Sequence, residues 1–256
     1  MKAFCLIRNV ALLLTVFSSL PAAATEVRTL DVTPDRRVEL LWDVPTTLGP
    51  HPLVVLAPGQ GYHARLPLLE ALAKSLSSQG VAVLRFNWSY FVKDPKAGRP
   101  SAELVMEVSD MTAVLAEGRK SSLVDAARIA VAGKSLGSLV TWRILHAQTA
   151  VKAGALLTPV CTDASRDTAI DNFDSNHPGI RTNSRPLLLI SGDADPVCPL
   201  PILYANAARL PHARAVGVGG RHSFEVKSGP NAEIDSQSNL DLAVRITADF
   251  LVKALR

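Results

Sequence analysis

The chain has 256 residues, 48% of them hydrophobic, so it is long enough to bury a substantial core as one domain. Its formal net charge is only +4 at pH 7 and its basic residues are scattered. Neither a nucleic-acid partner nor a polybasic membrane-binding surface is therefore expected. No internal repeat or low-complexity linker divides the sequence, which also favours one domain.

The first 24 residues have the features of an export signal. Lys2 and Arg8 provide positive charge before an apolar run over 10–20. Residues 21–24 then supply the small side chains of a cleavage site after Ala24. The alternative is an uncleaved membrane anchor, although the run is short for a span of about 20 residues. We predict a signal peptide over 1–24 and a periplasmic or secreted domain over 25–256. Because cleavage removes two basic residues and no acidic one, the net charge falls from +4 to +2. It also removes the apolar run, so no stable membrane span is expected in the remaining chain.

Two cysteines of the predicted mature chain, Cys161 and Cys198, each follow a predicted strand. Export brings a protein into an oxidising compartment, where such a pair can form a disulfide. The sequence leaves open whether these two are bridged. Because it contains no Cys-x-x-Cys or His-x-x-x-His spacing, no metal site is expected.

Apolar segments of strand length alternate with segments of helical periodicity. The predicted strands are 27–32, 38–44, 53–57, 81–86, 129–132, 153–157, 187–190 and 213–218, and the predicted helices are 66–78, 102–115, 135–147, 200–210 and 240–255. The first two strands form an antiparallel pair around a turn at 33–35. The alternation that follows predicts an α/β fold with a mostly parallel eight-stranded sheet and helices on both faces. Neither irregular stretch, 87–101 or 158–185, is long enough for a large lid domain.

A Gly-x-Ser-x-Gly sequence lies where the strand at 129–132 meets the next helix. In parallel sheets, functional residues gather at the carboxyl ends of the strands, and a tight strand-to-helix turn lifts the hydroxyl of Ser135 clear of the sheet. The crowded turn needs small neighbours, which Gly133 and Gly137 provide. Ser135 is therefore the predicted nucleophile, and the alternative is a turn serine with no chemical function.

A serine nucleophile needs a base, and the base needs a carboxylate to orient it. His222 follows the strand at 213–218, whereas Asp193 and Asp195 follow the strand at 187–190. An imidazole titrates near neutrality, so we predict that His222 acts as general base and then as general acid. Asp195, deeper in its turn and followed by a Pro-Val pair, is favoured as the carboxylate. Asp193 would then cap the loop, and the choice between the two carboxylates stays open.

Acyl transfer also requires donors for the negatively charged oxygen of the tetrahedral intermediate. The backbone N–H of Leu136, next to the predicted nucleophile, and that of Gln60, in the loop at 57–61, form the predicted oxyanion hole. An ordinary Pro-Gly turn would explain the loop sequence almost as well. Aromatic residues in loops pack onto the core at least as often as they bind ligands, and the candidates for the substrate pocket are His63, Trp88, Tyr90, Phe91, Phe173 and His177.

The segments 53–61, 133–137, 192–197 and 219–222, in the chain order Ser-Asp-His, resemble the α/β-hydrolase superfamily over essentially the whole mature chain. Residues 83–90, Val-Leu-Arg-Phe-Asn-Trp-Ser-Tyr, with Gly-Arg-Pro at 98–100, resemble its dienelactone-hydrolase-related branch, which includes the testis-expressed and histone-acetyltransferase-associated hydrolase-like proteins. That branch usually opens the oxyanion loop with His-Gly, where this chain has Pro58-Gly59. Dienelactone hydrolases use a cysteine nucleophile, where this chain has Ser135. The resemblance implies serine ester or lactone chemistry.

Together these features predict an exported serine hydrolase that cleaves an ester-like bond through an acyl-enzyme, without a metal or organic cofactor. Its expected partner is a small-molecule ester or lactone. One alternative is a lactonase, amidase or peptidase with the same triad, and the other is a non-catalytic pseudo-hydrolase that binds a ligand or partner. The sequence leaves the physiological substrate and the oligomeric state open.

Overall fold

Eight strands form one sheet in a computed structural model that describes residues 25–163 and 170–256. The strands are β1 (Thr25–Thr33), β2 (Arg36–Asp43), β3 (His51–Ala57), β4 (Ala82–Asn87), β5 (Val124–Lys134), β6 (Val151–Leu157), β7 (Leu187–Gly192) and β8 (Ala213–Val218). Their order across the sheet is β1-β2-β4-β3-β5-β6-β7-β8. Only β2 runs antiparallel to its neighbours within this sheet, and the remaining neighbouring pairs are parallel. The predicted signal segment, 1–24, lies outside the described residues.

Helices cover both faces of the sheet. They are α1 (Pro67–Ser78), α2 (Ser89–Lys93), α3 (Val105–Lys120), α4 (Leu136–Ala147), α5 (Phe173–Asn176), α6 (Leu200–Ala207) and α7 (Ala232–Ala254), with 3-10 turns at Ala102–Leu104 and Ile180–Thr182. Helices α1 and α7 pack on one face, and α3, α4 and α6 pack on the other. The predicted α/β fold is thus confirmed, and the described residues contain no separate lid domain. None of the helices described has both the length and the hydropathy of a membrane span.

The central strands are apolar along their whole length because both of their faces are covered. In β3, Leu53 and Val55 face the layer of α3 and α4, whereas Val54 and Leu56 face the layer of α1 and α7. All four side chains are fully buried. The sheet is therefore a rigid platform for the loops at its carboxyl edge.

Several element boundaries differ from the predicted ones. Helix α7 begins at Ala232 rather than at residue 240, and β5 begins at Val124 rather than at residue 129, because the added residues are largely exposed and lack apolar periodicity. The predicted helix at 102–115 is interrupted instead. Glu103 and Leu104 have φ of 51° and 56°, in the left-handed region, so a 3-10 turn precedes α3.

A disulfide joins Cys161, after β6, to Cys198, after β7. This bridge answers the question that the sequence left open. Both cysteines are buried, and the backbone N–H of Cys161 also donates to the carbonyl oxygen of Val197 at 3.2 Å. The bridge therefore fastens the loop that carries Asp195 to the neighbouring loop of the sheet.

Removing this bridge is expected to destabilise the fold. The two cysteines are 37 residues apart in sequence, and closing a loop of that length restricts the unfolded chain by about 3–4 kcal/mol. The double variant Cys161→Ala/Cys198→Ala should lose about that much free energy of unfolding in a urea titration. Wild-type protein unfolded with a reductant present serves as the control and should approach the variant. Equal urea midpoints for oxidised wild type and variant would contradict the expectation.

Candidate active site

Loops at the carboxyl ends of β5, β7 and β8 bring Ser135, Asp195 and His222 together. The imidazole Nε2 of His222 lies 2.8 Å from the Ser135 hydroxyl, and its Nδ1 lies 2.9 and 3.0 Å from the two carboxylate oxygens of Asp195. The three side chains thus form one continuous hydrogen-bonded relay. A proton leaving the hydroxyl can pass to an imidazole that a carboxylate already orients.

The turn that carries Ser135 is strained and crowded. Ser135 has φ of 53° and ψ of −120°, a backbone conformation that non-glycine residues rarely adopt. A Cβ atom on Gly133 would lie 2.3 Å from the carbonyl oxygen of Gly137, and one on Gly137 would lie 2.6 Å from the carbonyl oxygen of Ala57. Both glycines are therefore required by close backbone approach, as the sequence pattern indicated.

Asp195 is buried and fully hydrogen-bonded. Besides His222, it accepts hydrogen bonds from the backbone N–H of Val197 and from the hydroxyl of Ser191, each at 2.9 Å. Burial by itself would raise the pKa of the Asp195 carboxyl, but these hydrogen bonds and the charge of His222 outweigh it, and the pKa lies below its ordinary value. The carboxylate is therefore ionised at neutral pH.

Asp193 has a different environment from Asp195. It is exposed, and its carboxylate accepts a hydrogen bond from the backbone N–H of Gly220 at 2.9 Å. Its own backbone N–H donates to the carbonyl oxygen of Val218 at 2.7 Å. Asp193 thus ties the loop after β7 to the loop after β8, and only Asp195 contacts the imidazole.

The loop that follows β3 lies directly against the serine. A Cβ atom on Gly59 would be 3.3 Å from the Cβ of Ser135, which places Gln60 beside the hydroxyl-bearing turn. Leu136 is the first residue of α4, so its backbone N–H has no partner within the helix. The backbone N–H of Gln60 likewise donates to no acceptor in the described parts of the chain. Both groups are therefore free to bind an oxygen near Ser135.

Side chains at the end of β4 hold this loop at both of its ends. The indole N–H of Trp88 donates to the carbonyl oxygen of Pro58 at 2.9 Å. At the other end, Asn87 accepts from the backbone N–H of Ala64 at 2.7 Å, and Arg85 donates to the carbonyl oxygen of Ala64 at 2.7 Å. In the sequence these residues belong to the segment that resembles a family branch, and Trp88 was also a pocket candidate, but their role as supports of this loop was not predicted.

Some candidate pocket residues belong to the core instead. Trp88 and Phe173 are fully buried. His177 is also buried, and its Nδ1 lies 3.0 Å from the carbonyl oxygen of Phe173. Burial lowers the pKa of His177 to about 4, so the ring is neutral at physiological pH. The suggestion that these three residues face a substrate was wrong, because aromatic rings in loops are stabilised by burial against the core.

The other candidates lie near the loop that follows β3. Tyr90 and Phe91 are half-buried and line a cavity of about 430 Å³ that begins at Gln60. The ring of His63 packs beside that of Phe91, with 6.0 Å between the ring centroids. An acyl or alcohol group held next to Gln60 would contact this aromatic wall.

Two polar neighbours of the relay were not identified from the sequence. Ser191, near the end of β7, supports Asp195 as described above. Lys134, the residue before Ser135, is the only charged residue between 129 and 134, and this isolated charge was the available signal in the sequence. Among the described residues, no group of three or more His, Cys, Asp or Glu side chains could hold a metal ion.

Comparisons with known proteins agree with this architecture. A family model described as an alpha/beta hydrolase domain matches residues 50–252. No curated protein matches the chain. A structure of Est1E from Butyrivibrio proteoclasticus with ferulic acid bound has a TM-score of 0.68 at 18% identity, covering 88% of this chain and 98% of that one.

Two further solved structures are similar at comparable levels. The esterase Pf2001 from Pyrococcus furiosus has a TM-score of 0.66 at 18% identity, covering 92% of this chain and 94% of that one. XC6422 from Xanthomonas campestris, described as a serine hydrolase without a lid, has a TM-score of 0.61 at 20% identity, covering 89% and 96%. These identities establish a shared fold alone. Because the family model covers most of its length, this chain belongs to the α/β-hydrolase family, whose fold supports hydrolase activity on a small molecule.

Proposed function

We propose that this chain is an exported serine hydrolase that cleaves carboxylic esters, with Ser135 as nucleophile, His222 as base and Asp195 as its orienting carboxylate. The observation that carries the proposal is the unbroken hydrogen-bonded relay from the Ser135 hydroxyl through His222 to Asp195. Such a relay is what converts an ordinary hydroxyl into a nucleophile at neutral pH.

The reaction proceeds in two halves. Ser135 attacks the ester carbonyl carbon while its proton passes to Nε2 of His222, and the resulting oxyanion binds the N–H groups of Leu136 and Gln60. The C–O bond to the alcohol then breaks, and the imidazolium returns the proton to the departing alcohol. Water attacks the acyl-enzyme in the same way and releases the acid.

Asp195 contributes in the charged states of this cycle. Its ionised carboxylate stabilises the imidazolium that forms in both halves, and its hydrogen bond keeps the proton of neutral His222 on Nδ1. The nitrogen that faces Ser135 is then free to accept a proton.

The preference for a carboxylic ester is supported by similarity. One similar structure is named an esterase, and Est1E binds ferulic acid, an aromatic carboxylic acid of the kind that ester hydrolysis releases. The resemblance of residues 83–90 to the dienelactone-hydrolase-related branch makes a lactone the second substrate to test. A lactone differs only in that the alcohol stays attached to the acyl group.

A fluorophosphonate probe tests the nucleophile, because it reacts only with an activated serine. The purified protein over 25–256 should be labelled, and Ser135→Ala and His222→Ala should not be. A thermal melt of each variant is the control for folding. A folded wild-type protein that resists labelling would contradict hydrolase activity and favour the pseudo-hydrolase alternative.

The two neighbouring carboxylates provide a matched pair of variants. Asp195→Asn should lower kcat for p-nitrophenyl acetate about 10,000-fold, because an amide in this position favours the wrong imidazole tautomer. Asp193→Asn should lower kcat by less than about 5-fold, since it perturbs a surface loop contact. Comparable losses in both variants would mean that Asp195 does not have the orienting role.

Export is supported by the Cys161–Cys198 disulfide, since such bonds persist in oxidising compartments. When the full chain is expressed in a Gram-negative bacterium, mass spectrometry of the periplasmic fraction should find a protein that begins at Thr25. Replacing Lys2 and Arg8 by Glu should retain the chain in the cytoplasm, because the signal loses its positive end. A membrane-bound protein that keeps residues 1–24 would favour the anchor alternative.

A further inference from the structure

Lys134 has an unusual position for a lysine. It directly precedes Ser135, its side chain is only 1% exposed, and its Nζ has no hydrogen-bond acceptor in the parts of the chain that the structure describes. Burying an ammonium group without a counter-ion or acceptor destabilises a protein. A buried charge beside a nucleophile therefore calls for a functional reason.

The ammonium group contacts an aromatic ring instead of a carboxylate. Nζ of Lys134 lies 4.2 Å from the centroid of the Tyr62 ring, a cation–π contact that is strong because it is shielded from water. Tyr62 closes a turn with Gly59, donating its backbone N–H to the Gly59 carbonyl oxygen at 3.3 Å. The ring is thus attached to the loop that carries Gln60.

The same tyrosine reaches the histidine loop. The hydroxyl of Tyr62 forms a hydrogen bond with the hydroxyl of Ser223, the residue after His222. The backbone N–H of Ser223 in turn donates to the carboxylate of Glu225 at 2.7 Å. Tyr62 therefore links three segments: the nucleophile strand through Lys134, its own oxyanion loop, and the loop that carries His222.

We propose that Lys134 is a positioning residue. As a buried cation it binds the ring of Tyr62, and this contact keeps the oxyanion loop and the loop of His222 in position relative to Ser135. The proposal rests on the proposed hydrolase function. Lys134 itself touches no reacting atom in this scheme. It acts through Tyr62, and its effect is expected on the rate of acylation rather than on substrate affinity.

The charge of Lys134 depends on the groups that surround it. Burial disfavours the ammonium form, while the carboxylates of Asp195 and Glu225 partly compensate, and the pKa of Lys134 falls to about 8. The Tyr62 ring also faces it, and this ring attracts the cation but has little attraction for a neutral amine. The cation–π contact should therefore weaken as the pH rises through about 8.

Activity and stability should respond to this titration in opposite directions. The pKa of Lys134 is lower in the folded protein than the usual 10.5, so between pH 8 and 10.5 the unfolded chain binds more protons. Stability then rises with pH in this range, because the buried amine is neutral in the folded state. Activity falls over the same range because the cation is lost. A residue with only a structural role would make the two change together.

The test compares Lys134→Met with wild type from pH 6 to 10, using p-nitrophenyl acetate turnover, fluorophosphonate labelling and urea unfolding. Methionine keeps the length and apolar stem but lacks the charge. At pH 7 its kcat should be about 10-fold below wild type with KM unchanged, and its profile should lack the fall near pH 8. The wild-type rate should converge on that of the variant above pH 9. Lys152→Met, at an exposed position of β6, is the matched control and should keep the wild-type profile.

Variants of Tyr62 and Ser223 test the proposed positioning role by a second route. Tyr62→Phe keeps the ring but loses the hydroxyl, and Ser223→Ala removes the other end of the same hydrogen bond. Because both break one bond, the double variant should be no slower than the slower single variant. Tyr62→Leu removes the aromatic ring and should abolish the fall near pH 8, as Lys134→Met does.

Three results would overturn the proposal. They are a wild-type pH profile in Lys134→Met, a fall near pH 8 that persists in Tyr62→Leu, and independent losses in the Tyr62→Phe/Ser223→Ala pair. Each leaves the hydrolase intact and labelled by the fluorophosphonate. Absence of labelling in wild type contradicts the proposed function instead, so the two failures are distinguishable. If Lys134→Met does not fold, the Tyr62 and Ser223 variants still decide the question.

Discussion

The close approach of the serine turn to the loop after β3 is the constraint on which this site depends. Residue 133 has room for no side chain because Gly137 lies against it, and residue 137 has none because Ala57 does. This contact brings the first turn of α4 close to the loop that follows β3, the two segments that carry Leu136 and Gln60. Backbone strain at one residue is stabilised by the rigid sheet that surrounds it.

Around that contact, several buried polar side chains have specific hydrogen-bond partners. Asp195 is held by Ser191, Val197 and His222, and the loop after β3 is held by Arg85, Asn87 and Trp88. Buried polar groups without partners are costly, so such contacts allow few alternative arrangements of the loops. The buried ammonium group of Lys134 contacts an aromatic ring instead of a hydrogen-bond acceptor.

The disulfide extends the same principle to the outer part of the site. Cys161 and Cys198 follow adjacent strands, and the bridge restricts the loop that carries Asp195. The carboxylate is thus fixed by covalent and hydrogen-bonded contacts at once. Proton transfer over one hydrogen bond tolerates little displacement, so this rigidity supports the proposed chemistry.

Strand positions and the serine turn could be predicted from the sequence because they depend on local patterns. Short apolar runs identify buried strands, and Gly-x-Ser-x-Gly identifies a turn in which only glycine fits. The exposed first turns of α7 and the first residues of β5 could not be predicted in this way, since they carry no apolar periodicity. The break before α3 was missed because left-handed conformations at Glu103 and Leu104 have no marker in the sequence.

The sequence by itself determined the α/β fold, the order of the strands along the chain and the residue types available at the carboxyl edge. Tertiary structure alone decided which of two nearby aspartates contacts His222, which aromatic residues are buried in the core, and that Cys161 is bonded to Cys198. It also decided that Lys134 lies against Tyr62. These outcomes depend on distances between segments far apart in the chain, and local periodicity contains no information about such distances.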